Sequence, residues 1–147
     1  MAGATDVLTI EIDDREIRDG LRALEDRLGN LRPFYLDIGE ALLNSTRERF
    51  TTQTAPDGSP WAPLSPSYKQ RKKKHPDLIL TLNGYLRGTL NYSATKDELR
   101  IGTPMIYGAA HQFGRPEINL PARPFLGLSD DDHAMILDAL ADWLLPE

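Results

Sequence analysis

The apolar positions of the chain change rhythm several times, and each rhythm predicts an element. Val7-Leu8-Thr9-Ile10-Glu11-Ile12 mixes β-branched residues with alternation and predicts a strand. Asp13 or Asp14 then caps a helix; with Asp13 as the N-cap, Glu16 falls at the position that reaches back to the cap amide. Ile17, Leu21, Leu24 and Leu28 follow at helical spacing, and Gly29-Asn30 ends the run. A second helix opens near Pro33, a residue suited to the first turn, and runs to about Phe50. Phe34, Ile38, Ala41, Leu42 and Ser45 share one face, and Leu36, Leu43 and Phe50 widen the apolar arc, which predicts burial on more than one side. Gly39 costs about 1 kcal/mol against alanine inside a helix; a close backbone approach would account for it.

From Thr51 to Ser67 the pattern breaks. Pro56, Pro60, Pro63 and Pro66 deny the segment ladder hydrogen bonds and helix interiors, and Asp57-Gly58 signals a turn. Trp61 and Leu64 are large apolar anchors within it, so the expectation is an extended, ordered loop pinned by Trp61. Ser67 to Lys74 reads as a short basic helix, Leu78 to Leu82 as a strand or helical entry, Asn83-Gly84 as a turn, and Tyr85 to Leu90 as a helical turn or two. Asn91 to Thr95 and Glu98 to Thr103, joined by Lys96-Asp97, predict a β-hairpin. Met105 to Phe113 reads as a helix stopped by Gly114, and Ile118 to Leu120 as an extended piece. Ser129 caps a last helix whose first turn carries Asp130, Asp131 and Asp132, complementing the helix dipole. Its face is Ile136, Leu137, Leu140, Trp143 and Leu144. The expected fold is a single small α+β domain over residues 1–147, an antiparallel sheet packed against helices, with a long Pro-rich loop.

Composition narrows the class. With 147 residues, 40% apolar and 27% charged, the chain fits one ordinary globular domain able to bury its own core. It has no cysteine, which excludes disulfides, thiolate zinc sites and a cysteine nucleophile. No apolar run approaches the roughly 20 residues that span a bilayer, and the first residues lack a signal-peptide pattern. The expectation is a soluble protein made in a cytoplasm. A net charge of −5 argues against a general nucleic-acid binder, although charge is uneven: Lys69 to His75 is basic and Asp130 to Asp132 acidic.

Candidate chemistry is sparse. His111 lacks an identifiable catalytic partner in the sequence and reads as structural, a side chain that fixes a neighbouring loop through backbone hydrogen bonds. His75 lies in the basic run and His133 at an exposed helix start, with no zinc-type histidine spacing. The aspartate triplet lacks the alternating ligands and central glycine of a calcium loop. No phosphate-binding glycine loop or nucleophile elbow is present. No catalytic residue, metal ligand or cofactor is expected. Arg71, Lys72, Lys73 and Lys74 form either a solvated face or an electrostatic contact, to DNA phosphates or to an acidic neighbour such as Asp130 and Asp131 of another copy. In Pro121-Ala122-Arg123-Pro124-Phe125-Leu126-Gly127-Leu128-Ser129, two prolines bracket Arg123. This is either a stiff docking element or a buried connector in which Arg123 pairs with a core carboxylate or carbonyl.

Four blocks carry a resemblance. They are Phe50 with Pro56-Asp57-Gly58-Ser59-Pro60-Trp61-Ala62-Pro63-Leu64-Ser65-Pro66 and the basic run; Leu80-Thr81-Leu82-Asn83-Gly84-Tyr85-Leu86-Arg87; Ile101-Gly102-Thr103 leading to Tyr107-Gly108-Ala109-Ala110-His111-Gln112-Phe113-Gly114; and Leu120 to Ser129. In this order they resemble the phage virion morphogenesis family, which includes the tail-completion protein of P2-like phages and the G protein of Mu-like phages. Tyr68 and Asn83 stand where that family usually has threonine, and the first 50 residues match no motif.

The resemblance implies a non-enzymatic structural protein of a tailed-phage virion, assembled in the host cytoplasm. It would form a homo-oligomeric ring of six or twelve copies at the head–tail junction. Its implied partners are other copies of itself, the connector or portal-side proteins, the tail-tube proteins and, in passing, genomic DNA in the lumen; no membrane is implied. Trp61, Arg71, Lys72, Lys73, Lys74, His111, Arg123, Phe125, Asp130 and Asp131 are the candidate assembly residues. The competing readings are a virion-associated enzyme and a small DNA-binding module that uses residues 69–75. Trp61→Ala and Phe125→Ala should each cost about 3–5 kcal/mol. Chemical denaturation checks this, and wild-type stability with normal particle yield would show that neither ring is an anchor.

Overall fold

The computed structural model describes residues 12–63, 85–104 and 108–145. The predicted strand before Ile12, Leu64, the basic run Arg71 to Lys74 and the elements expected between 67 and 84 lie outside the described residues, as does the start of the helix expected from Met105.

Helix α1 spans Arg15–Leu28. Its cap is Asp14 rather than Asp13: the Asp14 carboxylate accepts from the Ile17 amide at 3.0 Å, which puts the cap one residue later than the Glu16 pattern implied. Gly29, at φ 75°, ends it, its backbone N–H donating to the Glu25 carbonyl. Leu24 is fully buried, with Ile17 and Leu21 against the same cluster, whereas Leu28 in the last turn is exposed.

Helix α2 spans Arg32–Thr52, with Pro33 in its first turn, and is the spine of the molecule. One side, Phe34, Tyr35, Ile38 and Leu42, packs with Leu24 of α1 and with the last helix. Another side, Leu43 and Phe50, belongs to a second cluster with Ala55, Trp61, Leu86, Leu90, Phe125 and Leu126. Burial on two sides is what the widened apolar arc predicted, although Ala41 and Leu36 face solvent. The helix ends at Gln53, which adopts a left-handed conformation.

A short helix α3 (Tyr85–Gly88) leads into the hairpin β1 (Asn91–Ala94) and β2 (Leu99–Gly102). The strands pair antiparallel, Tyr92 opposite Ile101 and Ala94 opposite Leu99. A two-stranded hairpin is marginal alone; this one lies against α2, with Tyr92 and Ile101 packed on one cluster and Ala94 and Leu99 on the other. The guanidinium groups of Arg32 and Arg47 donate to the carbonyls of Ala94 and Leu90.

Helix α4 (Gly108–Phe113) ends at Gly114, φ 76°. The piece expected to be extended from Ile118 is instead a 3-10 turn over Pro116–Ile118, closed by Asn119 at φ 56°. Pro116 sets the turn's first position, and Arg115 and Leu120 form an isolated antiparallel bridge around it. Helix α5 (Asp130–Leu144) opens on Ser129 in a full capping box, Asp132 being the reciprocal partner. Ile136 and Leu140 are buried, and Leu137, Trp143 and Leu144 pack around them. Trp143 stacks edge-on against Phe34 and donates to Asp37 at 2.9 Å. The Arg27 guanidinium binds the carbonyls of Leu144 and Leu145 at the end of α5. This is an α+β domain, its small antiparallel sheet packed against helices.

Gly39 has a close approach, the explanation that its helix position left open. A Cβ there would stand 2.6 Å from the Tyr92 ring and 3.1 Å from Leu99. Overpacking of this kind costs about 1–3 kcal/mol, against about 1 kcal/mol of helix propensity gained. Gly39→Ala should therefore lower the unfolding free energy and loosen the hairpin. Equal or greater stability in urea titration would show that the Tyr92 ring moves aside freely.

Candidate functional site

The segment from Pro121 to Ser129 has no regular structure, yet Arg123, Phe125 and Leu126 are buried within it. Buried backbone needs hydrogen-bond partners, and here side chains provide most of them. Gln112, on α4, accepts at Oε1 from both the Phe125 and Leu126 amides, each at 3.0 Å, and donates from Nε2 to the Leu126 carbonyl at 3.0 Å. Arg49, on α2, donates to the Phe125 carbonyl at 2.7 Å. Trp61 donates its indole N–H to the Pro124 carbonyl at 2.7 Å. The Arg123 amide donates to the His111 carbonyl at 2.6 Å.

Arg49 also pairs with Asp132, and both side chains are only 6% exposed. The same Asp132 oxygen accepts from the Ser129 amide at 3.1 Å, and Ser129 returns a bond to the Asp132 amide at 3.0 Å. One carboxylate thus caps α5, ends the irregular segment and neutralises a buried guanidinium. Burial lowers the Arg49 pKa from its ordinary value, and the charge of Asp132 opposes that shift. A guanidinium remains charged even so.

Arg123 lies 4% exposed between the segment and the Pro-rich loop. Its guanidinium donates to the carbonyls of Ala62 at 2.8 Å and Pro63 at 3.0 Å, which is the carbonyl pairing of a buried connector. Trp61 is buried too, edge-on to Phe50 with ring centroids 5.3 Å apart, and Phe50 meets the fully buried Phe125 at 5.6 Å. Aromatic pairs of this geometry add about 0.5–1.5 kcal/mol beyond their burial. The loop is therefore pinned by Trp61 as expected, and its first part is tied back by a bridge from Thr54 to Pro60.

The structure brings Trp61, His111, Arg123 and Phe125 together around one segment, as interior or half-buried side chains of the single chain. Burial, and next the nearby Arg123 charge, push the His111 imidazole below its ordinary value, so the neutral form is favoured. Asp130 and Asp131 stand apart, exposed in the first turn of α5. Sequence reasoning missed Arg49 and Gln112, and took Asp132 only for a helix-start acid. The signal for Arg49 was present: it sits on the apolar face of α2, in register with Leu42, Thr46 and Phe50. Among the described residues no three His, Asp or Glu side chains are grouped to hold a metal ion, and no helix is long and apolar enough to cross a membrane.

The molecule is a small α+β domain in which the buried Arg49, Gln112, Arg123 and Asp132 side chains bind backbone. Residues 12–145 match the phage virion morphogenesis family, and the chain belongs to it. It is 34% identical to the putative capsid assembly protein G of Escherichia phage Mu, over 90% of this chain and 91% of that protein. It is 28% identical to the tail completion protein S of Escherichia phage P2, over 78% of this chain and 91% of that protein. No solved structure matches it.

Breaking the buried pair should be costly. Arg49→Ala leaves the Asp132 carboxylate buried without its counter-charge, a loss of about 3–5 kcal/mol. Gln112→Leu strands the Phe125 and Leu126 amides, at about 1–3 kcal/mol for each buried group left unsatisfied. Urea unfolding measures both, and a loss below about 0.5 kcal/mol in either variant, the range of an ordinary surface change, would mean that the clamp does not hold the segment.

Proposed function

We propose that this chain is a structural subunit of a tailed-phage particle that acts by assembly rather than by chemistry. Copies form a ring at the head–tail junction, completing the tail or joining it to the portal-side connector. The observation that carries this reading is family membership over nearly the whole chain, with relatives named for tail completion in phage P2 and capsid assembly in phage Mu. The interior supports it: Arg49, Gln112, Arg123 and Asp132, the buried side chains with most to offer a reaction, are engaged in holding backbone. A ring subunit also needs faces set at a fixed angle, since heterologous contacts close only when the rotation per copy is constant. The clamp gives the domain that rigidity. The neighbours would be connector or portal-side proteins on one side and tail-tube proteins on the other. The basic run Arg71 to Lys74 would meet either DNA in the lumen or the acidic Asp130 and Asp131 of an adjacent copy.

Electron cryomicroscopy of the assembled particle tests this. The expected result is a closed ring of this chain between head and tail, six-fold for tail completion or twelve-fold for a connector on the portal. Absence of the chain from finished particles, or its occurrence as scattered copies on the capsid shell, would contradict the proposal.

A further inference from the structure

We draw no further inference here: the strongest candidate, the groove beside β2 walled by Leu42, Leu99, Ile101, Leu126 and Leu128, opens at Ile12, where the described residues begin, and nothing in the structure shows what covers it.

Discussion

The fold depends on a problem of buried backbone. Arg123, Phe125 and Leu126 are buried within residues 121–129, a segment without a ladder or helix of its own, and Pro121 and Pro124 bring no amide to share. The segment's remaining amides and carbonyls need partners, and water is excluded around the fully buried Phe125. Four side chains from different parts of the chain meet the need: Arg49 from α2, Trp61 from the Pro-rich loop, Gln112 from α4 and Asp132 from α5. Each ties its own element to the same few residues. The hydrophobic clusters set the density of the core, but they are non-directional; the polar clamp sets its register.

That arrangement also explains why a buried ion pair is tolerated. Desolvating Arg49 and Asp132 is expensive, and an apolar pair of the same volume would often be as stable. Here the charges do more than attract one another. Arg49 reaches the Phe125 carbonyl, and Asp132 reaches the Ser129 amide. An apolar replacement would leave both backbone groups unsatisfied. The pair therefore fixes where the irregular segment ends and α5 begins.

Much of this was legible in the sequence where the signal is local. Ser129 with its acids marked the cap of α5, Pro33 the start of α2, Gly114 the end of α4, and the alternation around Lys96-Asp97 the hairpin. Gly39 left a close approach open without showing it, and the Tyr92 ring makes one. Trp61 was readable as an anchor because a large aromatic among prolines has little else to do. What was not legible depended on partners far along the chain. Arg49 and Asp132 are 83 residues apart, and neither has a local pattern naming the other. Ile118 to Leu120 looked extended because three residues give no period, but Ile118 ends a 3-10 turn that Pro116 opens, and Leu120 alone pairs in a bridge. Arg123 could be read as docking element or connector until the carbonyls of Ala62 and Pro63 were placed beside it. The phage role came from motif order across the chain, not from any residue's chemistry.

Amide hydrogen exchange at Phe125 and Leu126 tests the central claim most directly. Both amides bond to the Gln112 side chain and belong to no regular element. If the clamp is the constraint on which the fold rests, they exchange only through global unfolding, as slowly as the core amides of α2. Exchange at the rate of an exposed loop, while α2 stays protected, would contradict the account.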